Sequence, residues 1–155
     1  GTVSQSEAQS KMLWRLREDI SEATSAYEPY KNDISVRVSH VTEFLNEMDK
    51  ILIEQYADIE VVWFGHIGDG NLHINMLKPE NMSSDNFIKK CKSANVEMFQ
   101  MIERFKGSIS AEHGLGFTKK ADLEKTRSIE EIEYLRGIRK VFDPDGILSP
   151  GKMLP

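Results

Sequence analysis

Three histidines and one glutamate have the residue types and spacing of a catalytic site. His66 and His73 flank the turn-forming residues 68–71, and Glu112 and His113 are adjacent, just before a glycine. Imidazoles and carboxylates are common zinc ligands, and two histidines with one acid leave coordination positions open for substrate. By residue type alone, however, two histidines near a turn are as often ordinary surface residues.

A predicted hairpin brings the first two histidines together. Residues 59–67 are rich in β-branched and aromatic side chains, residues 72–77 alternate in polarity, and Gly68-Asp69-Gly70-Asn71 supplies the turn. With a four-residue loop, His66 pairs directly with His73. Opposed residues have Cβ atoms about 4.5–5.5 Å apart, so both rings could reach one ion.

Alternation along the two strands separates a packing face from a polar face. Side chains two residues apart share a face of a strand. We expect the helices to contact Trp63, Ile67, Leu72, Ile74 and Met76. We expect the opposite face to carry Val62, Phe64, His66, His73 and Asn75. Asn75, near His73, is a candidate hydrogen-bonding partner for a ligand.

Apolar residues at helical spacing predict four long helices. The first covers about residues 6–26, and the second follows Ser39 as a cap and ends near Tyr56. The third follows the candidate caps Ser83 and Ser84 and ends before Gly107. Its apolar stripe is Phe87, Cys91, Ala94, Met98, Met101 and Phe105. The last begins at a capping box, Ser128 with Glu131, and stops before residue 143.

The order of strands and helices predicts an α+β fold. Alternation of Ile34, Val36 and Val38 predicts a first strand, and residues 108–111 predict a fourth strand after the hairpin. Gly114-Leu115-Gly116 is predicted to be a tight turn that enters a Thr-capped helix. Without the flanking N-terminal and C-terminal helices, the order is βαββαβ. This is the ferredoxin-like arrangement, with helices on one face of an antiparallel sheet.

Composition excludes several classes of protein. The 155 residues carry a net charge of −5, which gives no basic patch for nucleic acid. No apolar run reaches the roughly 20 residues that cross a bilayer, and the N-terminus lacks the order of a signal peptide. We expect Cys91, the single cysteine, to be a buried and unreactive thiol in a reducing compartment.

Three sequence motifs resemble a known family. They are GHIGDGNLHIN (residues 65–75), SAEHGLG (110–116) and FDPDGILSPGK (142–152). In order and spacing they resemble the C-terminal domain of FAD-linked oxidases of the vanillyl-alcohol-oxidase type. The members that look most similar are D-lactate, D-2-hydroxyglutarate and glycolate dehydrogenases. The resemblance covers nearly the whole chain.

The resemblance implies roles for individual residues. His66, His73 and Glu112 match positions that bind a divalent metal, zinc or manganese, and His113 matches the proposed general base. The matching substrate-binding residues are Arg17, Ser21 and Lys31, and the place of Asn75 near His73 makes it a fourth candidate. Asn71 matches a position that completes a flavin site formed mainly by another domain.

The proposed substrate-binding residues also have an ordinary interpretation. On a single helix, Arg17 and Ser21 would be i,i+4 neighbours, and an arginine fork suits a carboxylate. Exposed arginines and lysines usually only solvate a surface. Two residues depart from the family pattern: Ser21 replaces a threonine, and Ser149 replaces an asparagine.

The resemblance also implies an activity for a longer protein. We expect residues 1–155 to be a single domain, the C-terminal fragment of an FAD-dependent D-2-hydroxy acid dehydrogenase. The domain that mainly binds FAD is absent from this sequence, so we expect the fragment alone to be colourless and inactive. The parent would oxidise a small 2-hydroxy acid to a 2-oxo acid and pass hydride to FAD.

The same resemblance implies partners and a location. An electron-transfer flavoprotein, a quinone or a cytochrome would accept the electrons, and a homodimer is compatible with the family. The expected location is intracellular, in the bacterial cytoplasm or the mitochondrial matrix, with membrane association through the acceptor left open. Two alternatives remain at this point: a self-contained metal-dependent hydrolase, and a non-catalytic assembly module with incidental histidines.

Overall fold

A three-stranded antiparallel sheet forms the centre of the fold. The computed structural model describes residues 1–154. Strand β1 is Tyr30–Ser35, β2 is Val61–His66 and β3 is Asn71–Met76, and β3 lies between the other two. The predicted α+β class is confirmed.

The fourth strand predicted over residues 108–111 is wrong. Among the described residues, this segment contributes only an isolated bridge between Ser108 and Ser35, at the outer edge of β1. The Ser108 side chain bonds both the carbonyl and the amide of Ser110. A hydroxyl that bonds nearby backbone groups competes with ladder pairing, and the chain turns away from the sheet.

Six α-helices and two short 3-10 helices accompany the sheet in the described part of the chain. The helices are α1 Glu7–Glu18, α2 Ile20–Ser25, α3 Val41–Gln55, α4 Ser84–Arg104, α5 Gly116–Lys119 and α6 Ile129–Phe142. The 3-10 helices are Val38–His40 and Lys120–Lys125. Within residues 1–154, none of these helices combines the length and the apolar character that crossing a membrane requires.

Helices α3 and α4 cover one face of the sheet and bury the core against it. The strands contribute Ile34, Leu72, Ile74 and Met76 to this core. Helix α3 contributes Val41, Phe44, Met48 and Leu52, and the whole predicted stripe of α4 from Phe87 to Phe105 is buried. Each fully buried large apolar side chain contributes about 1.5–3 kcal/mol, so this face stabilises the fold.

The N-terminal helix differs from the prediction in two ways. It breaks at Asp19, which has φ −84° and ψ 0°, so α1 and α2 are separate helices. Its apolar residues are not buried; Leu16 is 77% exposed, and α1 contributes no buried residue. Helical spacing of apolar residues correctly predicted a helix. The same spacing suggested an apolar face packed on the core, but the apolar residues of α1 are exposed.

The first strand begins earlier than predicted. It starts at Tyr30 rather than near Ile34, and Val38 lies in a 3-10 helix with 49% exposure. Ser39 is therefore not the cap of α3, which follows His40. Antiparallel pairing with β3 decides the extent of β1, and its polar residues 31–33 are part of that pairing.

The register of the hairpin is shifted by two residues from the prediction. His66 pairs with Asn71, and His73 pairs with Phe64, so the predicted direct pairing of the two histidines is wrong. The loop is Ile67 to Gly70, because the amides of residues 69 and 70 both bond the carbonyl of His66. A shift of two residues keeps every strand side chain on its predicted face. Ile67 alone leaves the packing face, since it lies in the loop and is 72% exposed.

Two glycines of the hairpin are required by close backbone contacts. A Cβ on Gly65 would overlap the backbone carbonyl of Asn71, and a Cβ on Gly70 would overlap that of Val36. Gly70 also has φ +75°, and its carbonyl accepts a hydrogen bond from the Val36 amide. The Gly65 contact lies within the hairpin, and the Gly70 contact fixes the hairpin to the segment that follows β1.

The C-terminal part of the chain is held by helix capping and a turn. The capping box of Ser128 and Glu131 that opens α6 is confirmed. After α6, the buried carboxylate of Asp143 accepts hydrogen bonds from the amides of Ile147 and Leu148. The glycine turn at Gly114 is confirmed by positive φ, but α5 starts after Leu115, so the predicted threonine cap is wrong.

We predict that Gly65→Ala lowers the free energy of unfolding by about 1–3 kcal/mol, because the new methyl group must displace the β3 backbone. Urea denaturation followed by circular dichroism measures the change. Gly137→Ala is the matched control, because Gly137 lies in α6 with open space around it and should gain about 0.5–1 kcal/mol. Equal effects of the two variants would contradict the close contact.

Cys91 is fully buried, and burial raises the pKa of its thiol to about 12. At about pH 8 the thiol is therefore neutral and shielded, and only a thiolate reacts readily. We expect no reaction of the folded protein with an aromatic disulfide reagent, and stoichiometric reaction in denaturant. Absorbance of the released thiolate measures both, and rapid labelling of the folded chain would contradict the buried position.

Candidate functional site

The face of the sheet opposite α3 and α4 carries the candidate functional residues. Phe64 and His66 on β2, His73 and Asn75 on β3, and Lys31 and Asp33 on β1 all point to this face by strand alternation. It is not a bare face, because Thr24 of α2 accepts a hydrogen bond from Asn75, and Lys119 of α5 contacts β1.

The structure brings His66, His73 and Glu112 together. One ligand atom from each lies within 4.8 Å of the others. The His66 Nδ1 atom is 3.2 Å from the Glu112 Oε1 atom, and the rings of the two histidines are 6.0 Å apart. The histidines are diagonal neighbours on adjacent strands rather than directly paired, and diagonal residues remain within reach of long side chains.

This donor set fits a zinc-type ion. Ligands about 2.0–2.2 Å from a tetrahedral ion are separated from one another by about 3.4 Å. The observed separations need only small side-chain movements to reach that arrangement. Side chains of His66 and Glu112 are each 42% exposed, so the site is open to a ligand from solution.

Glu112 is oriented by Asn71. The Asn71 side-chain amide donates to Glu112 Oε1 at 2.6 Å, and Asn71 itself is only 3% exposed. We expected Asn71 to contact a flavin. In the structure its side-chain amide donates to Glu112 instead, and the flavin contact stays a prediction. A ligand carboxylate that accepts such a hydrogen bond has a defined position before any ion binds.

Asp33 is a site residue that the sequence analysis missed. Its Oδ2 atom accepts hydrogen bonds from the amides of Glu112 and His113, at 2.8 and 3.3 Å. Its Oδ1 atom is 3.4 Å from His73 Nδ1. The signal was present, because the residue before the inward-facing Ile34 must point to the polar face.

A second group of potential ligands shares His73. Asp33, His73 and His113 also offer ligand atoms within 4.8 Å of one another. Asp33 is buried and one of its oxygens already accepts two amides, whereas Glu112 is half-exposed. The group with Glu112 therefore has the more accessible donors.

A cleft of about 580 Å³ lies beside the clustered ligands. Five of the predicted site residues line it: Ser21, Lys31, His73, Asn75 and His113. Phe64 forms part of its wall and stacks on His73, with ring centroids 4.9 Å apart. The cleft therefore combines a cation, a hydroxyl, an amide and two imidazoles.

Arg17 is not among the residues that line this cleft. It lies on α1, where its guanidinium is 5.9 Å from the centre of the Trp14 ring, whereas Ser21 lies on α2. The expectation that the two residues form one helix flank is wrong because the helix breaks at Asp19. Binding of substrate by Arg17 stays a prediction.

Lys119 is a second site residue that sequence analysis missed. Its ammonium donates to the backbone carbonyls of Asp33 and Ile109, at 3.2 and 2.7 Å. Burial lowers the pKa of this ammonium, while the Asp33 and Asp122 carboxylates act in the opposite direction. The side chain links β1 to the segment that precedes Glu112, and it adds a positive charge beside the cleft.

Comparison with known proteins places the chain in a family. Residues 1–153 match the family described as FAD linked oxidases, C-terminal domain. The chain is 56% identical over 153 residues to a D-2-hydroxyglutarate dehydrogenase of Stutzerimonas stutzeri, covering 99% of this chain and 33% of that protein.

Two further relatives carry the same activity in their names. A D-2-hydroxyglutarate dehydrogenase of Xanthomonas citri is 54% identical, with 99% of this chain and 32% of that protein covered. The mitochondrial D-2-hydroxyglutarate dehydrogenase of Bos taurus is 37% identical, with 100% and 27% covered. The chain spans about a third or less of the length of these relatives. Because the family match extends over nearly every residue, the chain belongs to the C-terminal domain family of FAD linked oxidases.

Proposed function

We propose that this chain is the metal- and substrate-binding part of an FAD-dependent D-2-hydroxy acid dehydrogenase. The observation that carries the proposal is the convergence of His66, His73 and Glu112 beside a cleft that His113 and Lys31 line. Family membership and the names of the relatives support the same activity. The proposed reaction converts the acid to a 2-oxo acid.

His66, His73 and Glu112 would hold a divalent ion, zinc or manganese. When bound, the ion supplies Lewis-acid polarisation of the substrate hydroxyl, and FAD supplies the hydride acceptor. Asn71 keeps the Glu112 carboxylate oriented, and Phe64 restricts the His73 ring from one side. These contacts reduce the movement that ligand binding requires.

His113 is the proposed general base. It lines the cleft beside His73, with ring centroids 6.4 Å apart, so a substrate in the cleft can contact both. An unprotonated ring nitrogen of His113 would accept the hydroxyl proton while the α-hydrogen leaves as hydride.

The cleft favours an acid with a second carboxylate. Lys31 supplies an ammonium for one carboxylate, and Ser21 and Asn75 supply hydrogen-bonding groups near it. We therefore propose D-2-hydroxyglutarate as the substrate class ahead of D-lactate or glycolate, in agreement with the relatives' names.

The whole protein would pass its electrons to an electron-transfer flavoprotein, a quinone or a cytochrome. The proposed location is the bacterial cytoplasm or the mitochondrial matrix, because relatives include bacterial proteins and proteins named mitochondrial.

We predict that the chain binds one Zn²⁺ or Mn²⁺ and that His66→Ala, His73→Ala and Glu112→Ala each weaken binding more than about 100-fold. Loss of a direct ligand should exceed the roughly 10–100-fold loss that follows removal of an outer-shell partner. Isothermal titration calorimetry measures the affinities. His40→Ala is the matched control, because His40 precedes α3 and belongs to neither ligand group. Equal, weak binding by all five proteins would refute the metal site.

We also predict that Lys31→Met separates diacids from monoacids. Removing a charged hydrogen bond should weaken D-2-hydroxyglutarate binding about tenfold or more, with less than about threefold effect on D-lactate. Chemical-shift titrations of the zinc-loaded chain measure both. Lys50→Met is the control, because Lys50 is an exposed residue of α3, on the face of the sheet opposite the cleft. Equal losses for both acids would mean that Lys31 does not hold the second carboxylate.

A further inference from the structure

Asp33 contacts three of the proposed site residues, His73, Glu112 and His113. It lies on β1 directly opposite His73 on β3, and it is 7% exposed. Its Oδ2 atom accepts the amides of Glu112 and His113, the residues proposed as metal ligand and general base. One carboxylate oxygen therefore sets the main-chain position of both.

The other oxygen of Asp33 points to His73. Within residues 1–154, Oδ1 is buried and has no hydrogen-bond partner, and His73 Nδ1 lies 3.4 Å away. A buried carboxylate oxygen without a donor is costly, so a proton on Nδ1 is strongly favoured. The proton on Nδ1 leaves Nε2 of the neutral ring free to act as a ligand.

We infer that Asp33 is a positioning residue for the proposed metal site: it fixes the His73 tautomer through Oδ1 and the Glu112–His113 backbone through Oδ2. This inference rests on the metal site proposed above. Ligand histidines commonly donate their second ring nitrogen to a carboxylate, which orients the ring and increases its basicity. Lys119 supports the same arrangement by bonding the Asp33 carbonyl.

Asp33→Asn tests the inference, because it preserves size and replaces one acceptor oxygen with a donor NH₂ group. The asparagine oxygen can still accept the Glu112 and His113 amides. Its NH₂ group then faces His73, whose Nδ1 must become an acceptor, so the proton moves to Nε2 and blocks that ligand position. If the asparagine amide turned the other way, its NH₂ group would face the backbone amides of Glu112 and His113, which are also donors. We expect zinc affinity to fall about 10–100-fold.

The matched control is Asp69→Asn. Asp69 is an acid of the hairpin loop, 65% exposed and 4.0 Å from His66 Nδ1, so the variant makes the same charge change near the same site. Asparagine can also accept the Asn71 amide that Asp69 now accepts. An exposed charge contributes little, so the control should change zinc affinity by less than about fivefold.

Nitrogen-15 NMR of the histidine rings, at about pH 8.5 where imidazole is neutral, gives a readout that a merely structural role would not change. In metal-free wild type we expect His73 to carry its proton on Nδ1, and in Asp33→Asn on Nε2. A wild-type proton on Nε2 overturns the inference without any variant. An unchanged tautomer and unchanged zinc affinity in a folded Asp33→Asn protein also overturns it.

The calorimetry separates this inference from the proposed function. If Asp33→Asn abolishes binding while His66→Ala and Glu112→Ala bind normally, Asp33 is itself a ligand, and the inference is overturned. If wild type binds no zinc, the proposed metal site fails, and the wild-type tautomer still decides whether Asp33 sets the His73 ring. Reduced affinity together with the tautomer change supports both.

Discussion

A buried carboxylate joins two parts of the chain that are far apart in sequence. Asp33 lies on the sheet, and the Glu112 amide that it accepts is 79 residues further along. Within residues 1–154, the segment around Glu112 makes only one bridge to the sheet by regular pairing, at Ser108. Side-chain contacts therefore position this segment, and the Asn71 amide and the Lys119 ammonium add further contacts of this kind. Without them, two of the proposed site residues would have no fixed relation to the histidines of the hairpin.

Two glycines of the hairpin motif, Gly65 and Gly70, have a packing role. Gly65 and Gly70 let backbones approach where any side chain would overlap a carbonyl. The close contacts make the hairpin rigid, and a rigid hairpin holds two potential metal ligands at a constant separation, which favours tight binding.

The sequence predicted the elements whose signals are local. The stripe of α4 and the capping box of α6 depend on residues within a few turns, and both predictions are confirmed. The hairpin was predicted with the wrong register, because the bonds to the His66 carbonyl and the Asp69 side chain decide where the loop begins. Asp33 was missed because its partners are distant in sequence. The convergence of His66, His73 and Glu112 could be anticipated because the hairpin and the motif resemblance both indicated it.

The alternation of the hairpin strands couples their pairing to the two faces of the sheet. A slip of the β2–β3 pairing by one residue would turn the polar side chains of one strand towards the α3 and α4 core, whereas a slip of two residues keeps both faces. Burial of the apolar face therefore disfavours one-residue slips, and the same burial keeps His66 and His73 on the open face.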